Sequence, residues 1–289
     1  GEHLAAGKPI HAVILLVTIA ATRPSSLAVA GPLLALWVAA PLVAYWLSQP
    51  VSPERRLLSS EDRRLFRLIA RKTWRYFETF MGAEDHGLPP DNFQELPTPM
   101  VAHRTSPTNI GMGLLSTLAA HDLGFIRTPE LVERLEATLS TMEGLERFEG
   151  HLLNWYDTRT LAPLPPRYVS TVDSGNLAGT LLALSEGLRR LAGEPQSAAQ
   201  ICAGLADTAE MAGQYLALLA DTPGGHQDGR ARLAAAVKSV LDVLEGPEEA
   251  EQKLARGDGQ VPALREAIES FESEGGTSSH QGEAAYWSR

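Results

Sequence analysis

Cysteine is almost absent from this chain of 289 residues. Cys202 stands alone, so no intrachain disulfide can form, and the sequence fits a reducing compartment or simple indifference to redox. Its setting between Ile201 and Ala203, inside a helical pattern, predicts a buried structural thiol and not a nucleophile. Also missing are GxxxxGK[ST], HExxH, CxxC and GxSxG, and with them the phosphate-cradling loop, the zinc helix, the redox pair and the serine elbow. His86, His103, His121 and His151 lack the spacing of metal ligands on a helix, so neither a metal nor a cofactor is expected. A basic surface is missing from most of the chain. The net charge is −10; residues 1–80 carry +5 and the remainder −15, and such an acidic body excludes a nucleic-acid groove. Alternating strand patterns are scarce as well.

What is present is helical. The hydrophobic content of 44% is ample for a packed core, and prolines from Pro89 to Pro166 punctuate the pattern, which points to helices joined by structured loops. Leu27 to Leu47 is a run of 21 residues without a charge, long enough to cross a hydrocarbon core of ~30 Å. Tyr45 and Trp46 sit at one end of it, as interfacial aromatics would, and Pro32 and Pro41 are tolerated in membrane helices. The other reading is a buried hairpin of a soluble domain. An earlier apolar run, Ile10 to Ala21, could precede it through a turn at Thr22 to Ser26. Arg55, Arg56, Arg63, Arg64, Arg67, Arg71, Lys72 and Arg75 follow the span and only Arg23 lies in that turn, so the positive-inside rule puts the C-terminal body in the cytoplasm. The expected division is 1–50 for membrane segments, 51–87 for a juxtamembrane basic helix, and 88–289 for the helical body. Ser59 to Asp62 resembles a capping box, and Leu65, Ile69, Tyr76 and Phe80 keep helical spacing after it. The basic face of that helix suits either anionic head groups or plain solvent.

The body is organised around residues 88–118, LPPDNFQELPTPMVAHRTSPTNIGMGLLSTL. Here a polar loop opens directly into an apolar helix. Ser106, Thr108 and Asn109 are N-cap types and Pro107 belongs at a helix start, so the helix is predicted to begin within this group. Gly111 and Gly113 in its first turn each cost about 1 kcal/mol of helix propensity, which predicts close approach of a neighbouring helix or a ligand. Thr128 and Pro129 open a second helix with a stripe of Leu131, Leu135, Leu139 and Met142. A second polar loop, residues 150–176, again feeds an apolar helix, Leu177 to Leu191, with Asp173 to Asn176 as its capping group. SPTNIGMGLLSTL from Ser106 and DSGNLAGTLLALS from Asp173 align at Asn109 and Asn176 with an offset of 67 residues, which reads as a repeated helical hairpin unit. Further helices are expected at Gln200 to Leu219, Ala231 to Leu244, Ala250 to Leu254 and Pro262 to Phe271, with breaks at Gly257 to Gly259 and Gly275 to Ser279. The chain starts at Gly1 and ends in the polar Ala284 to Arg289, and so reads as a piece of something longer.

Repeated hairpins whose inner helices all begin in polar loops would gather those loops at one mouth of a toroid, and such a mouth suits a sugar. Trp155 and Tyr156 can stack on pyranose faces. Asp91, Asn92, Arg104, Thr108, Asn109, Asp157, Arg159, Asp173 and Asn176 can hydrogen-bond hydroxyls, or serve only as caps and loop architecture. Glycoside chemistry needs two carboxylates ~5 to 9 Å apart. Asp91, Glu95, Asp157 and Asp173 are the loop carboxylates, and none stands in a catalytic motif.

LPPDNFQE at 88–95, AHRTSPTNIG at 102–111, LNWYDTR at 153–159 and YVSTVDSGNLAG at 168–179 resemble the cyclic β-1,2-glucan synthases, large inner-membrane enzymes of bacteria. The resemblance implies a glycosyltransferase domain that builds linear β-1,2-glucan from UDP-glucose, then membrane segments. A glycoamylase-like (α/α)6 domain follows, closing the ring by retaining transglycosylation, and last comes a phosphorylase-like domain. It places this chain at the junction of the last membrane segments with the first part of the cyclising domain. It also implies that the catalytic glutamates lie beyond Arg289, so that the loop residues here bind glucan and do not break it. A membrane-tethered helical scaffold without an active site is the alternative. The expected partners are β-1,2-glucan, the lipid bilayer and the remaining synthase domains.

Overall fold

The computed structural model describes residues 13–48, 58–219 and 227–273. They fall into two units that divide between Leu58 and Ser59. In the first, helix α1 (Val13–Thr22) is followed by a 3-10 turn, Pro24–Ser26, and helix α2 (Leu27–Leu47). Pro24–Leu47 is a stretch of 24 residues, long and apolar enough to cross a membrane, since at 1.5 Å per residue it reaches ~36 Å. Its apolar side chains project on all sides: Leu33, Leu36, Leu42 and Trp46 are exposed and Leu34 is buried. A helix without a polar face is stable in water only when enclosed or in lipid.

The second unit is helical, with eight α-helices among its described residues, and the first five begin at a side-chain cap or a proline. Helix α3 (Ser60–Phe80) starts after Ser59, whose hydroxyl accepts the Asp62 N–H at 3.0 Å. Its buried face is Arg71, Trp74 and Phe77, while Leu65, Phe66 and Ile69 are exposed. The apolar stripe expected from spacing is therefore rotated, because the arginines pair inward. Helix α3 contributes Trp74 and Phe77 to the main core.

Helix α4 (Pro107–Asp122) starts as expected, with Ser106 accepting the Asn109 N–H at 3.2 Å. Helix α5 (Thr128–Gly144) begins one residue earlier than a Thr128 cap would allow; the Thr128 hydroxyl instead bonds His121 Nε2 at 2.9 Å. Helix α6 (Thr171–Gly193) starts six residues before Leu177, with Ser170 accepting the Asp173 N–H at 3.2 Å. Asp173 to Asn176 thus form its first turns and not its cap. Helices α7 (Ala198–Leu218), α8 (Gln227–Leu244), α9 (Ala250–Asp258) and α10 (Val261–Ser273) complete the described residues. Gly257 and Asp258 belong to α9, so that break begins at Gly259, and Gly275 to Ser279 lie outside the described residues.

Two cores result. The larger centres on Ile110, Leu114, Leu131, Tyr156, Leu177 and Leu184. The smaller is built by Met211, Leu216, Leu233, Val237, Ile268 and Phe271 of α7, α8 and α10, with Leu68 of α3 packed against it. Three two-residue antiparallel ladders brace the loops: β1 (Phe93–Gln94) with β2 (Met100–Val101), β3 (Arg104–Thr105) with β6 (Tyr156–Asp157), and β4 (Arg147–Phe148) with β5 (His151–Leu152).

Helices α4 and α6 run parallel, side by side. Thr108 meets Asp173 and Asn176, Gly111 meets Thr180, and Leu118 meets Gly187, in the same order along both. The approach is close. A Cβ at Gly111 would lie 2.8 Å from Thr180 Oγ1, and one at Gly187 would overlap Leu118. Gly113 similarly abuts Met81. The neighbours anticipated at these glycines are thus protein side chains, and α5 returns the chain between the two parallel helices.

Candidate functional site

The first polar loop is fastened from beneath. Leu88 is fully buried, the Tyr76 hydroxyl donates to the Pro90 carbonyl at 2.7 Å, and the Phe80 and Phe93 rings meet at 4.9 Å. Burial, with the charges of Asp91 and Asp85 nearby, pushes the Tyr76 phenol up to about 12. Buried Asp85 receives the Thr158 hydroxyl and pairs with His103 Nδ1 at 2.8 Å, and the Thr158 N–H donates to the His103 carbonyl at 3.0 Å. This joint and the β3–β6 ladder, in which Arg104 faces Asp157 and Thr105 faces Tyr156, hold the two polar loops together.

Upon that base the starts of α4 and α6 meet in one hydrogen-bonded network. Arg104 donates to Asp91 Oδ2 from Nε at 3.1 Å and from Nη2 at 2.8 Å. Asn92 donates to the same oxygen at 3.0 Å, and Asn109 to Oδ1 at 3.3 Å. The Arg104 guanidinium lies over the Trp155 ring, 5.0 Å from its centroid. On the α6 side the Thr108 hydroxyl donates to Asp173 Oδ1 at 2.6 Å and accepts from Asn176 Nδ2 at 3.0 Å. Burial pushes the Asp173 carboxyl up, but the hydrogen bonds from Ser170 and Thr108 outweigh it and leave the group below its ordinary value.

Asn154 joins the two halves. Its amide, oriented to satisfy both ends, donates to Asp173 Oδ2 at 3.2 Å and accepts from Trp155 Nε1 at 2.6 Å and the Tyr168 hydroxyl at 2.7 Å. Neither Asn154 nor Tyr168 stands out in the sequence by composition or spacing. Their signals are position, since one precedes Trp155 and the other lies two residues before the Ser170 cap, and their place in the LNWYDTR and YVSTVDSGNLAG motifs.

Of the residues expected at a sugar site, Asp91, Asn92, Arg104, Thr108, Asn109, Trp155, Asp173 and Asn176 come together. Tyr156 does not serve as a stacking platform. Its ring is fully buried, and its hydroxyl accepts the Leu153 N–H and donates to the Glu146 carbonyl, both at 2.6 Å. Alternation along β6 explains this, because neighbours in a strand face opposite sides. Asp157 shapes a turn: its Oδ1 accepts the N–H groups of Arg159 (2.9 Å) and Thr160 (2.8 Å), and the Thr160 N–H, outweighing burial, holds its carboxyl below the usual range. Arg159 is exposed on that turn.

A cavity of about 1010 Å³ lies elsewhere, in an open groove between the end of α3 and α5. Its described lining includes Glu78, Glu130, Glu133, Arg127 and Arg134, with no phenylalanine, tyrosine or tryptophan. It offers no ring to a sugar face.

Two comparisons bear on this surface. A family model described as a protein of unknown function, DUF3131, matches residues 68–174; that span runs from α3 to the first turn of α6 and contains the whole network except Asn176. The cyclic beta-(1,2)-glucan synthase NdvB of Rhizobium meliloti (strain 1021) is 46% identical over 186 residues. That alignment takes in 64% of this chain and 7% of NdvB. Over the aligned residues, this chain is similar to a short segment of a cyclic β-1,2-glucan synthase.

Proposed function

We propose that this chain is the membrane-proximal, glucan-binding opening of a cyclising domain of the cyclic β-1,2-glucan synthase type. The observation that carries this reading is the convergence of the α4 and α6 starts on one polar network with Trp155 beside it. Two parallel helices that begin at one mouth, joined by a returning helix, are the unit from which an (α/α)6 toroid is built, and the proposal extends the pattern to later hairpins. The surface has the chemistry of saccharide recognition: an indole, a guanidinium, two carboxylates and several amides held at fixed angles.

Binding is favoured over bond cleavage by this segment. A glycosidic acid must keep its proton, which calls for a raised pKa. Asp157 and Asp173 are held below the ordinary value, and both oxygens of Asp91 are already occupied by Arg104, Asn92 and Asn109. Retaining transglycosylation on a linear β-1,2-glucan is accordingly assigned to carboxylates of the wider synthase. Pro24–Leu47 anchors the chain in the bacterial inner membrane, and the arginine-rich flank after it keeps the body cytoplasmic. The partners are the bilayer, β-1,2-glucan and the remaining synthase domains.

The test is calorimetric titration of the full chain in detergent micelles with linear β-1,2-gluco-oligosaccharides, with a β-1,4 series as control. Selective binding that falls about tenfold in Trp155→Ala, with helicity unchanged, is the expected result. A folded protein that takes up neither series would favour the scaffold reading.

A further inference from the structure

Next to the network lies a second cleft of about 360 Å³, lined by Glu146, Arg147, Phe148, Leu153, Arg167 and Tyr168, with Val169 at its edge. That volume is within the range of small-ligand sites. Its rings are open to solvent: Phe148 is 60% exposed and Tyr168 48% exposed. Phe148 sits on the β4–β5 hairpin, and three tethers hold that hairpin in place. Arg147 donates to the Met142 carbonyl at 3.0 Å and to the Gly150 carbonyl at 3.3 Å, Leu152 is buried, and the buried Tyr156 hydroxyl donates to the Glu146 carbonyl. A rigid hairpin that displays a phenylalanine in water exposes apolar surface which the fold does not use. Beside the rings, Arg167 pairs with Glu146 at the surface, supplying donors and acceptors at the rim. Aromatic faces edged by a guanidinium and a carboxylate match a pyranose, with its apolar faces and equatorial hydroxyls.

Tyr168 couples this cleft to the network. Its ring lines the cleft while its hydroxyl bonds the Asn154 amide oxygen, the same atom that accepts from Trp155 Nε1. Two aromatic side chains therefore diverge from one acceptor, one beside Arg104 and the other beside Phe148. We infer that the Phe148–Tyr168 cleft is a second saccharide subsite, which takes the part of a β-linked glucan that extends past Trp155. The inference rests on the glucan-binding reading above and adds direction and length to it: the bound chain runs across Asn154 from one ring to the other.

Phe148→Ala is the informative variant, because Phe148 is exposed and outside the network. The full chain in micelles is titrated with β-1,2-gluco-oligosaccharides of two to eight units. In the native protein affinity should rise with length. Phe148→Ala should leave the shortest binding oligosaccharide unaffected and weaken the longest about five- to tenfold, and Phe148→Trp should restore the gain with length. Trp155→Ala, in contrast, should weaken every length. Equal affinities of native protein and Phe148→Ala at all lengths would overturn the cleft while leaving glucan binding intact. Absence of binding by the native protein would overturn both.

Discussion

At the scale of single residues, the surface depends on carboxylates fixed by hydrogen-bond donors, a charged one at Asp91 and neutral ones at Asp173. Asp173 is the clearest. Its folded pKa lies below the unfolded value of about 3.9, so the stability it adds is complete above that value and fades as pH falls through the folded pKa. Asp173→Asn would set an amide NH2 against the Asn154 Nδ2 that now donates to Oδ2. It should cost about 1 kcal/mol at pH 7, and the gap from the native protein should narrow below about pH 4 in paired thermal melts. A gap of equal size at pH 3 would mean that packing, not charge, holds the residue. These residues were largely legible in the sequence because Asp, Asn, Thr and Arg crowded before an apolar helix have few other uses. Tyr156 was misplaced because Trp155, just before a two-residue strand, and Tyr156, its first residue, cannot be assigned to faces until the strand is seen. Asn154 was missed because one asparagine in a loop carries no periodic signal.

At the scale of elements, the polar network forms because α4 and α6 lie close enough for Thr108 to reach Asp173, and Gly111 permits that separation. Gly111→Val places a branched Cβ against Thr180 and should destabilise the chain by about 1–3 kcal/mol while also lowering glucan affinity. Gly179→Ala on α6, where a Cβ meets nothing within 4 Å, should stabilise by up to about 1 kcal/mol and leave binding alone. Chemical denaturation followed by circular dichroism checks both; stabilisation by Gly111→Val would show that the helices are not held apart by this contact. The offset of 67 residues read from sequence matches this adjacency, since the observed contacts pair residues 65 to 69 apart. Helix starts were less legible. Ser106 was recognisable through Pro107, whereas Ser170 was hidden behind several equally good capping residues downstream. The outward Leu65, Phe66 and Ile69 of α3 mislead for a different reason: its arginines face α7, so the apolar stripe marks the wrong side.

At the scale of the whole second unit, α3 is the seam between the two cores. Arg64 pairs with Glu210 at 2.7 Å, Arg67 with Asp207 at 2.7 Å, and Arg71 Nε donates to Thr208 Oγ1 at 2.9 Å. Arg67 also caps the α4 C-terminal turn through the Leu123 carbonyl at 2.8 Å. Burial outweighs the Arg67 guanidinium and pushes the Asp207 carboxyl up, so whatever proton uptake by Asp207 adds to stability is present at acid pH and lost as pH rises through its folded pKa. Arg67→Ala should then cost about 2–3 kcal/mol at pH 7 and less near pH 4, and Arg67→Met with Asp207→Leu should recover most of it. A loss that does not vary with pH would assign the role of Arg67 to Leu123 alone. The pinned Tyr156 has a different consequence. The segment between α5 and α6 has almost no regular structure and displays Arg159 and Arg167 at its surface, the ordinary profile of a loop that trypsin enters first. With Tyr156, Leu152 and Leu153 buried beneath it, that segment must tear out part of the core before it can fit a protease cleft, so its lifetime under digestion is set by opening of the helices it joins and not by its own lack of helix.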